Sequence, residues 1–120
     1  MDASPSLPES VSDLLTTLAD PQRQRVLQVF FEARSWELGA SEIAARCQPL
    51  SRPAVSHHLA VMRRSKVLTS RKEGKRVYYA INRGFITQSL QSFLEFLDIC
   101  CPEPAVRRAS ATKREAMNNV

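Results

Sequence analysis

The hydrophobic period of this chain changes in mid-sequence, inside the segment that is also its most basic, and few architectures accommodate both. From Ser51 to Arg64 apolar residues recur at Val55, Leu59 and Met62, the spacing of one helical face. After Lys66 the pattern becomes strand-like, in Val67–Lys72 and again in Arg76–Asn82. Glu73-Gly74-Lys75 lies between as the turn, with Gly74 able to take a positive φ. Residues 51–83 hold nine Lys/Arg and a single acid, Glu73, whereas the rest of the 120-residue chain holds eight basic and eleven acidic residues. Charge concentrated this way is the footprint of a polyanion-binding surface; a merely solvated lysine-rich surface would spread it along the chain.

The flanking sequence reads as helices. Ser10 is expected to cap a first helix with Val11, Leu14, Leu15 and Leu18 at i, i+3, i+4, i+7. Asp20-Pro21 then sets an acidic cap before proline at the first helical position. That helix places Val26, Leu27, Phe30 and Phe31 inward and Arg23 and Arg25 outward, and ends near Arg34. Trp36–Gly39 is too short for a helix and suits an edge strand. Ser41 is the expected cap of a helix containing Ile43 and Ala44, which stops at Gln48-Pro49-Leu50. Ser51 caps the next, with Pro53 in its first turn, where a missing N–H costs nothing. From Phe85 to Cys100 a strongly apolar helix carries Ile86, Leu90, Phe93, Leu94 and Leu97 on one face, and Pro102 and Pro104 stop it. Residues 1–9 read as a flexible lead, 10–102 as one domain and 103–120 as a disordered tail. The expected fold is mainly α with a small β-hairpin. Two helices around a short turn followed by a basic hairpin describe a winged helix-turn-helix.

In such a fold the second helix of the pair fills a major groove and aims its N-terminal part at base edges. Stepping about 100° per residue from Val55 leaves Leu59 and Met62 facing the core, and puts Pro53, His57, Ala60 and Arg64 opposite. Arg52, Ser56 and Arg63 share one flank. Arg52, Ser56 and His57 are the base-edge candidates, Ser51 and Arg63 the phosphate candidates. His58 points to the core flank and is expected to be packed and hydrogen-bonded. Around the hairpin tip Arg71, Lys72, Lys75 and Arg76 can straddle a phosphate backbone. They would equally protect an exposed edge from aggregation. Tyr78 or Tyr79 can reach a phosphate, and alternation makes one of the two a core residue.

The stretch Leu18-Ala19-Asp20-Pro21-Gln22-Arg23-Gln24-Arg25-Val26-Leu27 resembles the opening motif of the arsenic-repressor (ArsR/SmtB) family. SRPAVSHHLAVMRRSKVLTSRKEGKRVYYAI resembles that family's recognition helix and wing, and the likeness runs from about residue 14 to about residue 100. The resemblance implies a homodimeric repressor that binds double-stranded operator DNA and lets go when an inducer binds. It also implies a dimer interface built from the first and last helices, here Val11, Leu14, Leu15, Leu18, Ile86, Leu90, Phe93, Leu94 and Leu97. Metal sensors of the family often carry a CxC pair before the recognition helix. Ser41–Ala45 stand there instead, with Cys47 about two residues beyond, and the His/Asp set of the last helix is absent. Some arsenite-responsive members carry adjacent cysteines near the end of the last helix, where this chain has Cys100-Cys101.

What those cysteines do stays open at this level. Two adjacent thiols can hold arsenite or another soft metalloid with an exogenous third ligand, or with Cys47 if the fold brings it near. They can also form a redox switch, or serve as apolar filler at a helix end. Three cysteines, two of them adjacent, make no disulfide framework, and no zinc-ribbon or zincin spacing appears. No cofactor is required by any motif. No run approaches the ~18 apolar residues of a membrane span, and the N-terminus lacks a secretory pattern, so a cytoplasmic protein with no membrane partner is expected. With no catalytic constellation, an enzyme is disfavoured. Three alternatives remain: a winged-helix regulator without a thiol site, an architectural DNA binder and an RNA-binding or protein-interaction module, the last disfavoured because single-stranded RNA binders usually show exposed aromatics on their strands.

Overall fold

The structure is a computed structural model that describes residues 5–104. Five helices and three strands follow in the order α1 (Glu9–Leu18), α2 (Pro21–Ala33), β1 (Glu37–Gly39), α3 (Ala40–Arg46), α4 (Arg52–Arg64), β2 (Leu68–Glu73), β3 (Arg76–Ile81) and α5 (Arg83–Cys100). The expected sequence of elements is the one observed, including the short strand before α3. Among the described residues no helix is long and apolar enough to cross a membrane. The tail expected over 103–120 lies almost wholly outside the described residues.

Helix boundaries follow the caps where a side chain supplies one. Asp20 accepts from the Gln22 amide at 2.8 Å at the head of α2, Ser51 from Ala54 at 3.2 Å at the head of α4, and Asn82 from Phe85 at 3.2 Å at the head of α5. Two expected caps fail. Ser10 lies inside α1, which begins after Pro8, and Ser41 lies inside α3, which begins after Gly39; neither helix has a side-chain cap. The α5 helix begins at Arg83, ahead of the expected Phe85, because Asn82 ends the strand and caps the helix at once.

The strands form one antiparallel sheet in the order β1-β3-β2. The hairpin turn is tighter than expected. Glu73 pairs with Arg76, which leaves only Gly74 and Lys75 as the loop. Gly74 has φ 62°, the left-handed conformation that primed two-residue turns need and that glycine adopts without strain.

One core joins the elements. Val26, Val29 and Phe30 of α2, Ile43 and Cys47 around α3, Val55, Leu59 and Met62 of α4, and Leu38, Val67 and Leu68 at the sheet pack with Leu14 of α1. The α2 face on the core holds Val26, Leu27, Val29, Phe30 and Ala33, which includes three of the four expected residues and leaves out Phe31. Phe31 is consequently 63% exposed and points away from the core. Helix α1 packs on α5, and their contact takes up Val11, Thr17 and Ser89.

Candidate nucleic-acid interface

The outer surface of α4 and the hairpin hold the basic block. Val55, His58, Leu59 and Met62 are the buried residues of α4, so Arg52, Pro53, Ser56, His57, Arg63 and Arg64 are left facing solvent. This division matches the helical-wheel expectation. His58 is 6% exposed, and its Nε2 meets Gln22 Oε1 at 2.7 Å, which ties α4 to the head of α2. The neighbouring His57 is exposed and touches His58 only as a tilted ring, 5.5 Å between centroids. The two histidines therefore do different work.

The polar run after Pro21 is structural throughout. Arg23, expected to face outward, is half-buried, and its Nε donates to the carbonyl of Thr17 at 2.7 Å. Gln24 donates to the Leu18 carbonyl at 2.6 Å, so both satisfy acceptors freed at the end of α1. Arg25 pairs with Glu32 and also donates to the Arg46 carbonyl at 2.9 Å, joining α2 to the end of α3. Asp20 is held below the usual carboxylate range, chiefly by the Gln22 amide and also by the nearby Arg23. Sequence reading missed Gln22, which had no local signal of its partner 36 residues on.

Ion pairing sorts the cations. Arg23, Arg25 and Arg46 have carboxylate partners. Of the nine basic residues in 51–83 only Arg71 has one: among the described residues Arg52, Arg63, Arg64, Lys66, Lys72, Lys75, Arg76 and Arg83 have no ion pair. Lys66, just past α4 with φ 72°, and Arg83, at the head of α5, extend the patch beyond the residues singled out from sequence. Arg71 departs from expectation. Its guanidinium is bound by Glu37 and Glu73 and lies 4.5 Å from the ring centre of Tyr78, so its charge is already paired within the protein although the side chain stays half exposed. Tyr79 is the tyrosine packed against the core.

The expected partner surface divides as well. Val11 and Leu14 are 1% and 4% exposed and belong to the protomer's own interior, while Leu18, Ile86 and Phe93 are half-buried. Val11 and Leu14 are taken up within one chain, while the half-buried three keep part of their surface outside it. What remains outside is Leu15 at 45%, Leu90 at 49%, Leu94 at 62% and Leu97 at 42%. On α5 these leucines span about 60° of arc, beside the inward side centred on Ser89.

The cysteines separate. Cys47 is 1% exposed in the core, and burial raises its thiol above the ordinary value. It is no third ligand within the chain, since among the described residues no three His, Cys, Asp or Glu gather. Cys100 and Cys101 are exposed, which removes the apolar-filler reading within the protomer. Alkylation with iodoacetamide is expected to modify two thiols rapidly in the folded protein and the third only after unfolding, as mass spectrometry would read directly. Rapid labelling of Cys47 would show that the core opens there.

Residues 18–71 match the family description of a helix-turn-helix domain. The chain is 24% identical over 88 residues to the transcriptional repressor SdpR of Bacillus subtilis, covering 73% of this chain and 93% of SdpR. It is 30% identical over 78 residues to the arsenical resistance operon repressor of Staphylococcus xylosus, 65% of this chain and 71% of that protein. A crystal structure described as a possible transcriptional regulator for arsenical resistance superposes with a TM-score of 0.59 at 29% identity, covering 83% of this chain and 95% of the other. With the helix-turn-helix, the basic hairpin and these relatives together, the chain belongs to the arsenic-repressor (ArsR/SmtB) family of winged helix-turn-helix transcriptional regulators, and it is not an enzyme.

Proposed function

We propose that the chain is a sequence-specific repressor that binds double-stranded operator DNA as a homodimer and is released by an inducer. The observation that carries the DNA half is the set of eight cations in residues 51–83 that no carboxylate neutralises among the described residues. In this reading Arg52, Ser56 and His57 meet base edges, with Pro53 and Arg64 on the same outward side. Ser51 and Arg63 meet phosphates, and Lys72, Lys75 and Arg76 bring the hairpin tip against the backbone. The relatives' roles as repressors support the direction of regulation.

The homodimer rests on the exposed leucines of α1 and α5, a contiguous apolar stripe that a monomer would leave in water. A second copy is its occupant, because a two-fold pair presents two α4 helices about 34–36 Å apart to successive major grooves. Such dimers act in the cytoplasm, on DNA.

For the inducer, the exposed Cys100-Cys101 pair supplies two soft donors to trivalent arsenic, which takes a third from a small thiol. A second reading is a regulator without a thiol effector site. A gel shift on the chain's own upstream DNA addresses all of this. Affinity is expected to fall by roughly 10³–10⁵ between 50 and 200 mM salt for a protein making six to ten phosphate contacts. Arsenite is expected to release the wild type and to leave Cys100→Ser/Cys101→Ser bound. Equal release of both would remove the thiols from the mechanism, and salt-independent binding would remove the phosphate contacts.

A further inference from the structure

The hairpin's one neutralised cation sits where the sheet narrows. Strand β1 pairs with β3 only from Glu37↔Ala80 to Gly39↔Tyr78. Beyond Tyr78 the hairpin continues as two strands, through Lys72↔Val77 and Glu73↔Arg76. A two-stranded ribbon is marginal in water and has no fixed direction relative to the body. Arg71 lies opposite Tyr78 in the last row where three strands run side by side. On that face its side chain crosses the Tyr78 ring, 4.5 Å from guanidinium to ring centre. Its Nε and Nη2 donate to the two carboxylate oxygens of Glu37 on β1, each at 2.9 Å, and its Nη1 donates to Glu73 at 2.8 Å. The bidentate fork, the ring beneath and the second carboxylate engage all three guanidinium nitrogens.

We propose that Arg71 is the positioning residue of the hairpin: it clamps β2 to β1 over Tyr78 and so aims the unpaired cations Lys72, Lys75 and Arg76 at duplex DNA, while its own charge is paired with Glu37 and Glu73. This deepens the DNA-binding reading and rests on it. The counterpart is Glu37, which sequence reading did not single out; a lone acid at the start of a short strand carries no local sign of a partner 34 residues away. The sign of the electrostatics makes the assignment testable. Removing the Glu37 carboxylate takes a negative charge away from a polyanion-binding face, yet the clamp requires that it weaken binding.

The test uses the full chain and a duplex that the wild type selects from a random pool. Arg71→Gln and Glu37→Gln are each expected to weaken binding ~10-fold, and the double variant to be no weaker than either single, the signature of one shared interaction. The slope of log affinity against log salt should stay at the wild-type value in all three, while Lys75→Gln lowers it by about 0.9. Arg71→Lys keeps the charge without the fork and should behave like Arg71→Gln. Hydrogen exchange at the amides of residues 72–77 should accelerate in the Arg71 and Glu37 variants and not in Lys75→Gln, a readout that needs no DNA. A slope reduced by about 0.9 in Arg71→Gln, with tighter binding by Glu37→Gln, would make Arg71 a phosphate contact and overturn the proposal. So would unchanged exchange at the tip. A wild type that selects no duplex, with the exchange result as expected, would leave the clamp standing and sink the DNA reading instead.

Discussion

Replacing Leu94 with glutamate should leave each protomer folded and take the homodimer apart. In the single chain Leu94 is 62% exposed, so the substitution removes little of the protomer's own burial, and surface changes of this kind stay within about 0.5 kcal/mol. In the proposed dimer the same position is buried twice, once from each copy, because a two-fold interface repeats every contact. Losing a leucine's burial costs about 1.5–3 kcal/mol per copy, and forcing an unpaired carboxylate into the apolar stripe adds to it. A total near ~6 kcal/mol weakens the dimer about 10⁴-fold, since each 1.4 kcal/mol is a factor of ten. Sedimentation should then report a monomer at concentrations where the wild type is a dimer. Operator affinity should fall toward the non-specific level, because one α4 reads only a half-site. Glutamate at Phe31, 63% exposed on α2 and outside the stripe, is the control and should leave the dimer intact. A Leu94→Glu protein that still sediments as a dimer would place the interface elsewhere.

That prediction depends on something the sequence pattern did not resolve. Periodicity along α5 and α1 marked the apolar positions, but a wheel has no means of telling an inward apolar side from an outward one. On α5 the two lie side by side, so Ile86 and Phe93 were grouped with Leu90, Leu94 and Leu97 although the structure turns the first two toward the protomer. Burial against a specific neighbour separates them, and the neighbour is far away in sequence. The same limit explains Arg71 and Cys47. Arg71 has the look of a tip cation because the residues around it are basic; its carboxylate lies on a strand of three residues, across the sheet. Cys47 stood near the place of a family metal motif, and only packing shows it inside the core.

What was legible was local chemistry. Asp20-Pro21 and Ser51 with Pro53 set two helix starts because a short acceptor side chain and a proline without N–H each suit the first turn. The change from a helical to an alternating period after Lys66 located the hairpin, and Gly74 located its turn to within a residue. Helical phase on α4 separated His57 from His58 correctly, since Val55, Leu59 and Met62 lie on one strongly apolar side and leave little ambiguity.

The paired histidines give the sharpest functional test, because the structure assigns neighbours in sequence to opposite sides of α4. His57→Glu should leave stability within about 0.5 kcal/mol, as for other solvent-facing substitutions. On DNA it places a carboxylate among phosphates and base edges, twice per dimer. A lost contact of this kind costs about 1–3 kcal/mol per site, so two copies weaken operator binding by roughly 30-fold to 10⁴-fold. His58→Ala should do the reverse. It removes a buried ring and the hydrogen bond to Gln22 that holds α4 against α2, at 2.7 Å. The expected loss of stability is about 1–3 kcal/mol, a fall in Tm of roughly 4–8 °C per kcal/mol for a domain of this size. Once corrected for the folded fraction, its affinity for DNA should drop far less than that of His57→Glu. Calorimetry and gel shifts on the same two preparations therefore yield a crossed pattern. A His57→Glu protein that binds like the wild type, or one that melts as early as His58→Ala, would mean that the exposed side of α4 is not the side that meets DNA.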